Sequence, residues 1–113
     1  MWPGIQVRFK VWFELSGRPL LGEGGYELLK AIDEEGSIRA ACRKLGLSYR
    51  KAMNYLRRLE GLLGSKVIEA RRGGRGGGSS SLTEEGRELL RAYEAVREAV
   101  RRAVEEARAV LKP

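Results

Sequence analysis

Side chains able to hydrogen-bond the edges of nucleic-acid bases stand close together in the stretch Ser48-Tyr49-Arg50-Lys51-Ala52-Met53-Asn54. Arginine or lysine can donate to O6 and N7 of guanine, and asparagine can bond N6 and N7 of adenine. At roughly 100° per residue along a helix, Arg50, Asn54 and Arg57 share one face, with Lys51 and Arg58 beside it. Ala52, Leu56, Leu59 and Leu63 lie opposite, so burying that stripe turns the polar face outward. Arg57 and Arg58 lie further along and suit phosphates. Catalytic chemistry has far less material. The chain has no histidine and a single cysteine, Cys42, which reads as a small buried residue. The acidic pairs Glu34-Glu35, Glu84-Glu85 and Glu105-Glu106 read as solvated helix ends and faces. No metal site, cofactor or enzymatic activity is expected.

Charge singles out the same region. Of 113 residues with a net charge of +7, the block from Ile38 to Arg75 holds eleven basic side chains against Glu60 and Glu69. The flanking blocks are slightly acidic on one side and neutral on the other. A polyanion is the natural partner of such a block. Asn and Gln are nearly absent, only Asn54 and Gln6, which points to a thermophilic source. No apolar run approaches the roughly 20 residues of a membrane helix, and no secretory signal pattern opens the chain. A cytoplasmic location without membrane contact is expected.

The elements that must position this face follow from periodicity. One domain is expected over 1–113. Alternation of Val7, Phe9, Val11 and Phe13 predicts an N-terminal strand over 5–15, broken at Ser16-Gly17-Arg18-Pro19. A three-helix unit follows over 24–63. Its helices run from Gly24 to Glu35, from Ile38 to Leu45 and from about Tyr49 to Leu63, with Gly36, Gly46 and Gly64 as stops and Ser37 and Ser48 as N-caps. Small Ala40 and Ala41 allow close helix approach. This is the layout of a helix-turn-helix, whose second helix fits a major groove about 12 Å wide. A wing hairpin is expected over 66–82, with strands near Lys66–Ala70 and Ser79–Leu82. Its tip GGRGGG (Gly73 to Gly78) lacks the Gly-Lys-Ser/Thr of a Walker loop and the β-α-β frame of a dinucleotide site. Thr83 caps a last helix over 83–111. Its Leu89, Tyr93, Val96, Val100, Ala103, Ala107 and Val110 recur at alternating spacings of four and three, a dimerisation seam. Trp2 and Trp12 read as core or interface residues. The fold class is thus mainly α with a small β wing: a winged helix-turn-helix with an N-terminal strand and a long C-terminal dimerisation helix.

The predicted DNA contacts are Arg39, Ser48, Tyr49, Arg50, Lys51, Asn54, Arg57 and Arg58 from the helices, with Arg71, Arg72 and Arg75 from the wing. The marks Gly36-Ser37-Ile38, Ala41, Gly46, Ser48-Tyr49, Ala52, the GGRGGG loop and Leu82-Thr83 followed by Gly86 resemble the N-terminal DNA-binding domain of ModE-type molybdate-responsive regulators, over roughly residues 5–112. The reading unit is also similar to that of LysR-type regulators. The resemblance implies a homodimer paired through the N-terminal strand region and terminal helix, on a palindromic operator of genes for transport of molybdate or a related oxyanion. Met53 stands where family members often carry tryptophan. Family members continue into molybdate-binding domains with no counterpart here, so effector sensing is expected to need a separate effector-binding protein, if an effector acts at all. The expected partners are double-stranded DNA and a second copy of the chain. A non-specific architectural or nucleoid protein is the rival reading, because basic charge alone would serve it. An adaptor whose last helix docks another protein is the third.

Overall fold

The described chain opens with a β-hairpin. In a computed structural model that describes residues 3–71 and 78–111, β1 (Phe13–Leu15) pairs antiparallel with β2 (Arg18–Leu21), Leu15 opposite Arg18. Ser16 and Gly17 both have positive φ, 50° and 79°. That is the backbone of a two-residue turn whose twist matches the flanking strands. The strand expected over 5–15 is corrected here: only Phe13–Leu15 is laddered, and residues 5–12 belong to no strand. A strand needs a partner, and β2 is only four residues long. The alternation sorts side chains only next to the hairpin, since Phe9 is exposed. Val11 and Phe13 pack against the core, whereas Trp12 is 54% exposed and so is not a core residue. Trp2 lies outside the described residues.

The remaining order is α1 (Glu23–Glu35), α2 (Ile38–Leu45), α3 (Tyr49–Leu63), β3 (Ile68–Arg71), β4 (Ser79–Leu82) and α4 (Glu84–Leu111). β3 starts at Ile68, two residues later than expected, and pairs antiparallel with β4, Ile68 opposite Leu82. Central α1 buries Tyr26, Leu28, Leu29, Ala31 and Ile32, and packs on α2, α4 and β4. Ala41 and Ala52 are almost fully buried, and their small side chains let the helices close. The predicted caps form: Ser37 Oγ accepts from the Ala40 N–H at 2.9 Å, and Ser48 Oγ from the Lys51 N–H at 3.3 Å. Each cap is worth about 1 kcal/mol. Gly46, at φ 69°, turns the chain from α2 into α3, and its N–H bonds the Cys42 carbonyl.

The wing is tied to this unit at its root. Glu60 Oε2, on α3, accepts from the N–H groups of Val67 (2.8 Å) and Ile68 (3.2 Å). The Ser80 N–H, on β4, donates to the Gly36 carbonyl at 2.8 Å. Thr83 Oγ1 donates to the Lys66 carbonyl at 2.6 Å and accepts from the Gly86 N–H at 3.0 Å. Gly86 is buried against the Val67 carbonyl so closely that a Cβ there would overlap the oxygen. Gly86→Ala is therefore expected to lower the unfolding free energy by about 1–3 kcal/mol, read as an earlier denaturant midpoint at unchanged slope.

α4 spans 28 residues, roughly 42 Å, and stretches the molecule to 59 × 31 × 22 Å. Its apolar stripe serves two purposes. Leu90 and Tyr93 are buried and Leu89 is packed against the core, while Val96 and Val110 are 42% and 70% exposed. Tyr93, expected in the dimerisation seam, is corrected to a core residue with no exposed surface. Its ring stacks on Tyr26 at 4.9 Å and meets Phe13 at 5.4 Å. Its hydroxyl lies 2.9 Å from both the Val11 carbonyl and Glu23 Oε2. The first turns of α4 lie on α1 and the N-terminal segment, so the same heptad stripe meets the core before it meets solvent.

Burial, with the hydrogen bond to Glu23, pushes the Tyr93 hydroxyl up to about 12 from an ordinary value of 10.0. A phenol that holds its proton longer when folded contributes stability below pH 10, and that contribution is lost as pH rises from about 10 to about 12. Burial likewise pushes Tyr55 up to about 12. Tyr93→Phe is expected to flatten, not abolish, the fall of Tm between pH 10 and 12, because Tyr55 still titrates. Thermal melts of both proteins across that range check this.

Candidate nucleic-acid interface

α3 turns one polar face to solvent because Ala52, Leu56 and Leu59 on its other side are buried. Ser48, Tyr49, Arg50, Lys51, Asn54, Arg57 and Arg58 are all exposed. The side chains of Arg50, Lys51, Asn54 and Arg57 have no ion pair or hydrogen bond among the described residues. Several carboxylates are engaged elsewhere. Lys44 holds Glu34 (3.4 Å) and Glu35 (3.7 Å), Arg97 holds Glu23, and Arg101 and Arg102 hold Glu98. The charge excess of the central block is therefore not neutralised on α3, and its donors are open to a ligand.

Arg39 is preset rather than loose. Its guanidinium lies 4.1 Å from the centre of the Tyr49 ring, a cation–π contact between α2 and the start of α3. Arg39 and Arg43, with Ser37, Tyr49, Ser79 and Ser80, line an open groove of about 330 Å³ between α2, α3 and the wing root. Arg43 was not among the predicted contacts. Its spacing of four from Arg39 on an amphipathic helix was the available signal. Arg58 lies over the Tyr55 ring at 5.4 Å, and Tyr55 Oη donates to the Leu20 carbonyl at 3.0 Å, tying α3 to the hairpin. Arg71 ends β3, but its side chain, like the whole of Arg72, Arg75 and the loop from Gly73 to Gly77, lies outside the described residues. The predicted wing contacts therefore stand as expectations from sequence. Cys42 is buried, and burial pushes its thiol up, against any role as a nucleophile. Among the described residues no group of His, Cys, Asp and Glu could hold a metal, and no helix is long and apolar enough to cross a membrane.

Two capped helices joined by a glycine turn, a free basic face on the second and a hairpin anchored beside it define a winged helix-turn-helix. The chain belongs to the bacterial regulatory helix-turn-helix proteins of the lysR family, whose profile matches residues 25–87. It is 41% identical over 76 residues to the molybdenum-pterin-binding protein MopB of Rhodobacter capsulatus, covering 67% of this chain and 28% of that protein. It is 31% identical over 90 residues to the transcriptional regulator ModE of Yersinia pestis, covering 80% and 34%. The chain thus spans about a third or less of the length of these curated relatives, and the expected kinship with ModE-type regulators holds in sequence over that part. Among solved structures it is similar to the protein of the CbnR_DBD–DNA complex, with a TM-score of 0.58 and 26% identity over 77% of this chain and 94% of that one.

Proposed function

We propose that the chain is a sequence-specific double-stranded DNA-binding transcriptional regulator, acting as a homodimer on a palindromic operator and controlling genes for transport of molybdate or a related oxyanion. The observation that carries this reading is the exposed face of α3, where Arg50, Lys51, Asn54 and Arg57 stand without partners among the described residues beside a wing. Phosphate contacts supply affinity, and base-edge contacts from the first half of α3 supply choice of sequence. The similarity to a protein crystallised with DNA and to relatives named ModE supports the same assignment. The seam of exposed Val96, Ala103 and Val110 with half-buried Val100 supports pairing with a second copy, which would set two reading helices about 34 Å or a multiple apart.

Selection of bound duplexes from a random library tests the proposal, followed by competition with random duplex at fixed salt. A recovered palindrome with a specificity ratio of at least about 10³ is expected. A ratio near one would make the chain a non-specific architectural protein instead.

A further inference from the structure

The flank of α3 facing the β1–β2 hairpin carries a groove that the reading helix does not account for. It is open, of about 510 Å³, and its walls include Lys10 and Trp12 of the N-terminal segment, Glu23 at the start of α1, and Tyr55 and Arg58 of α3. By sequence alone the first 37 residues are slightly acidic, and nothing there signals a polyanion surface. The fold separates the charges. Glu34 and Glu35 are drawn to Lys44 at the far end of α1, and Glu23 is held by Arg97 and the Tyr93 hydroxyl. Glu14 accepts from the Trp12 indole N–H at 3.1 Å and fixes that ring. Lys10 is exposed and without an ion pair among the described residues, and Arg58 contacts only the Tyr55 ring there. Two free cations therefore border an apolar floor carrying an exposed indole, and the groove is continuous with the polar face of α3 through Arg58.

We infer that Lys10 and Trp12, lining one groove with Arg58, seat the sugar–phosphate backbone that borders the major groove read by α3. This deepens the DNA-binding reading and rests on it. Lys10 supplies a point charge to a phosphate, and the indole covers the deoxyribose, so the contact adds affinity without sequence preference. The N-terminal segment thereby has two opposed uses, since Val11 and Phe13 hold it on the core while Lys10 and Trp12 face the nucleic acid.

The test is the salt dependence of duplex binding by Lys10→Ala, with Arg102→Ala on α4 as control. Each phosphate neutralised contributes about 0.9 to the slope of log affinity against log salt. Lys10→Ala is expected to reduce that slope by about this amount on selected and random duplexes alike, with the control unchanged. In a Trp2→Phe background, saturation with duplex is expected to change the emission of Trp12. If wild type binds duplex but the Lys10→Ala slope matches it, this proposal is overturned and the DNA-binding reading survives. The proposal is overturned equally if the slope is unchanged and inorganic phosphate alone perturbs Trp12, which would make the groove a free-anion site. If wild type binds no duplex at all, both readings fall.

Discussion

The double variant Val96→Glu, Val100→Glu is expected to sediment as a monomer and to bind a two-half-site operator about 10²- to 10⁴-fold more weakly than the parent chain. Two half-sites held by one dimer convert the second contact into an intramolecular event, and affinity gains of that order vanish when the link is cut. Neither residue is buried in the protomer, whereas Tyr93 and Leu90, about one and two turns before Val96, are. The protomer fold should therefore survive. Glutamate is a good helix former, so α4 itself is not weakened. What changes is the seam, where four carboxylates would face one another across the two-fold. Sedimentation together with fluorescence anisotropy on whole and half operators separates the contributions. A parent chain that is already monomeric at micromolar concentration, or a variant that still dimerises, would remove α4 as the pairing element.

On the reading face, Arg50→Ala is expected to cost roughly 1–3 kcal/mol against the selected operator, a loss of about 5- to 150-fold, confined to sequences carrying one particular base. Asn54→Ala should behave likewise at a different position. Both side chains are exposed and without partners among the described residues, so their removal leaves no buried group unsatisfied and stability should hold. Arg57→Ala provides the contrast: loss on every duplex alike and a shallower salt slope, as for a phosphate contact. Binding across a duplex library reads all three at once. Equal loss on every sequence for Arg50→Ala would place that residue on the backbone instead of on a base.

Much of this face was legible in the amino-acid letters. The serine caps, the glycine stops and the small alanines of α2 and α3 are local signals, each acting within about four residues, and their geometry follows from backbone chemistry. The stripe of Ala52, Leu56 and Leu59 settles which side of α3 turns inward, and with it which cations turn out. The hairpin turn was present in the letters too, but Ser16-Gly17 reads equally well as a strand end until a partner strand is found in Arg18–Leu21. The strand expected over 5–15 exceeded its ladder because alternation reports a two-sided environment, and two sides exist without strand pairing.

The sequence by itself determined the helix-turn-helix, its capped boundaries and the location of the basic block, because these rest on contacts between neighbours along the chain. Tertiary structure alone decided where one apolar stripe stops being core and becomes surface, turning Tyr93 inward and leaving Val96 out. It alone paired Arg97 with the distant Glu23, whereas Arg87, Arg101, Arg102 and Arg108 find carboxylates three or four residues away on their own helix. It also placed Lys10 and Arg58 on the walls of one groove. Pairings between distant residues are fixed by packing, and no local pattern encodes them.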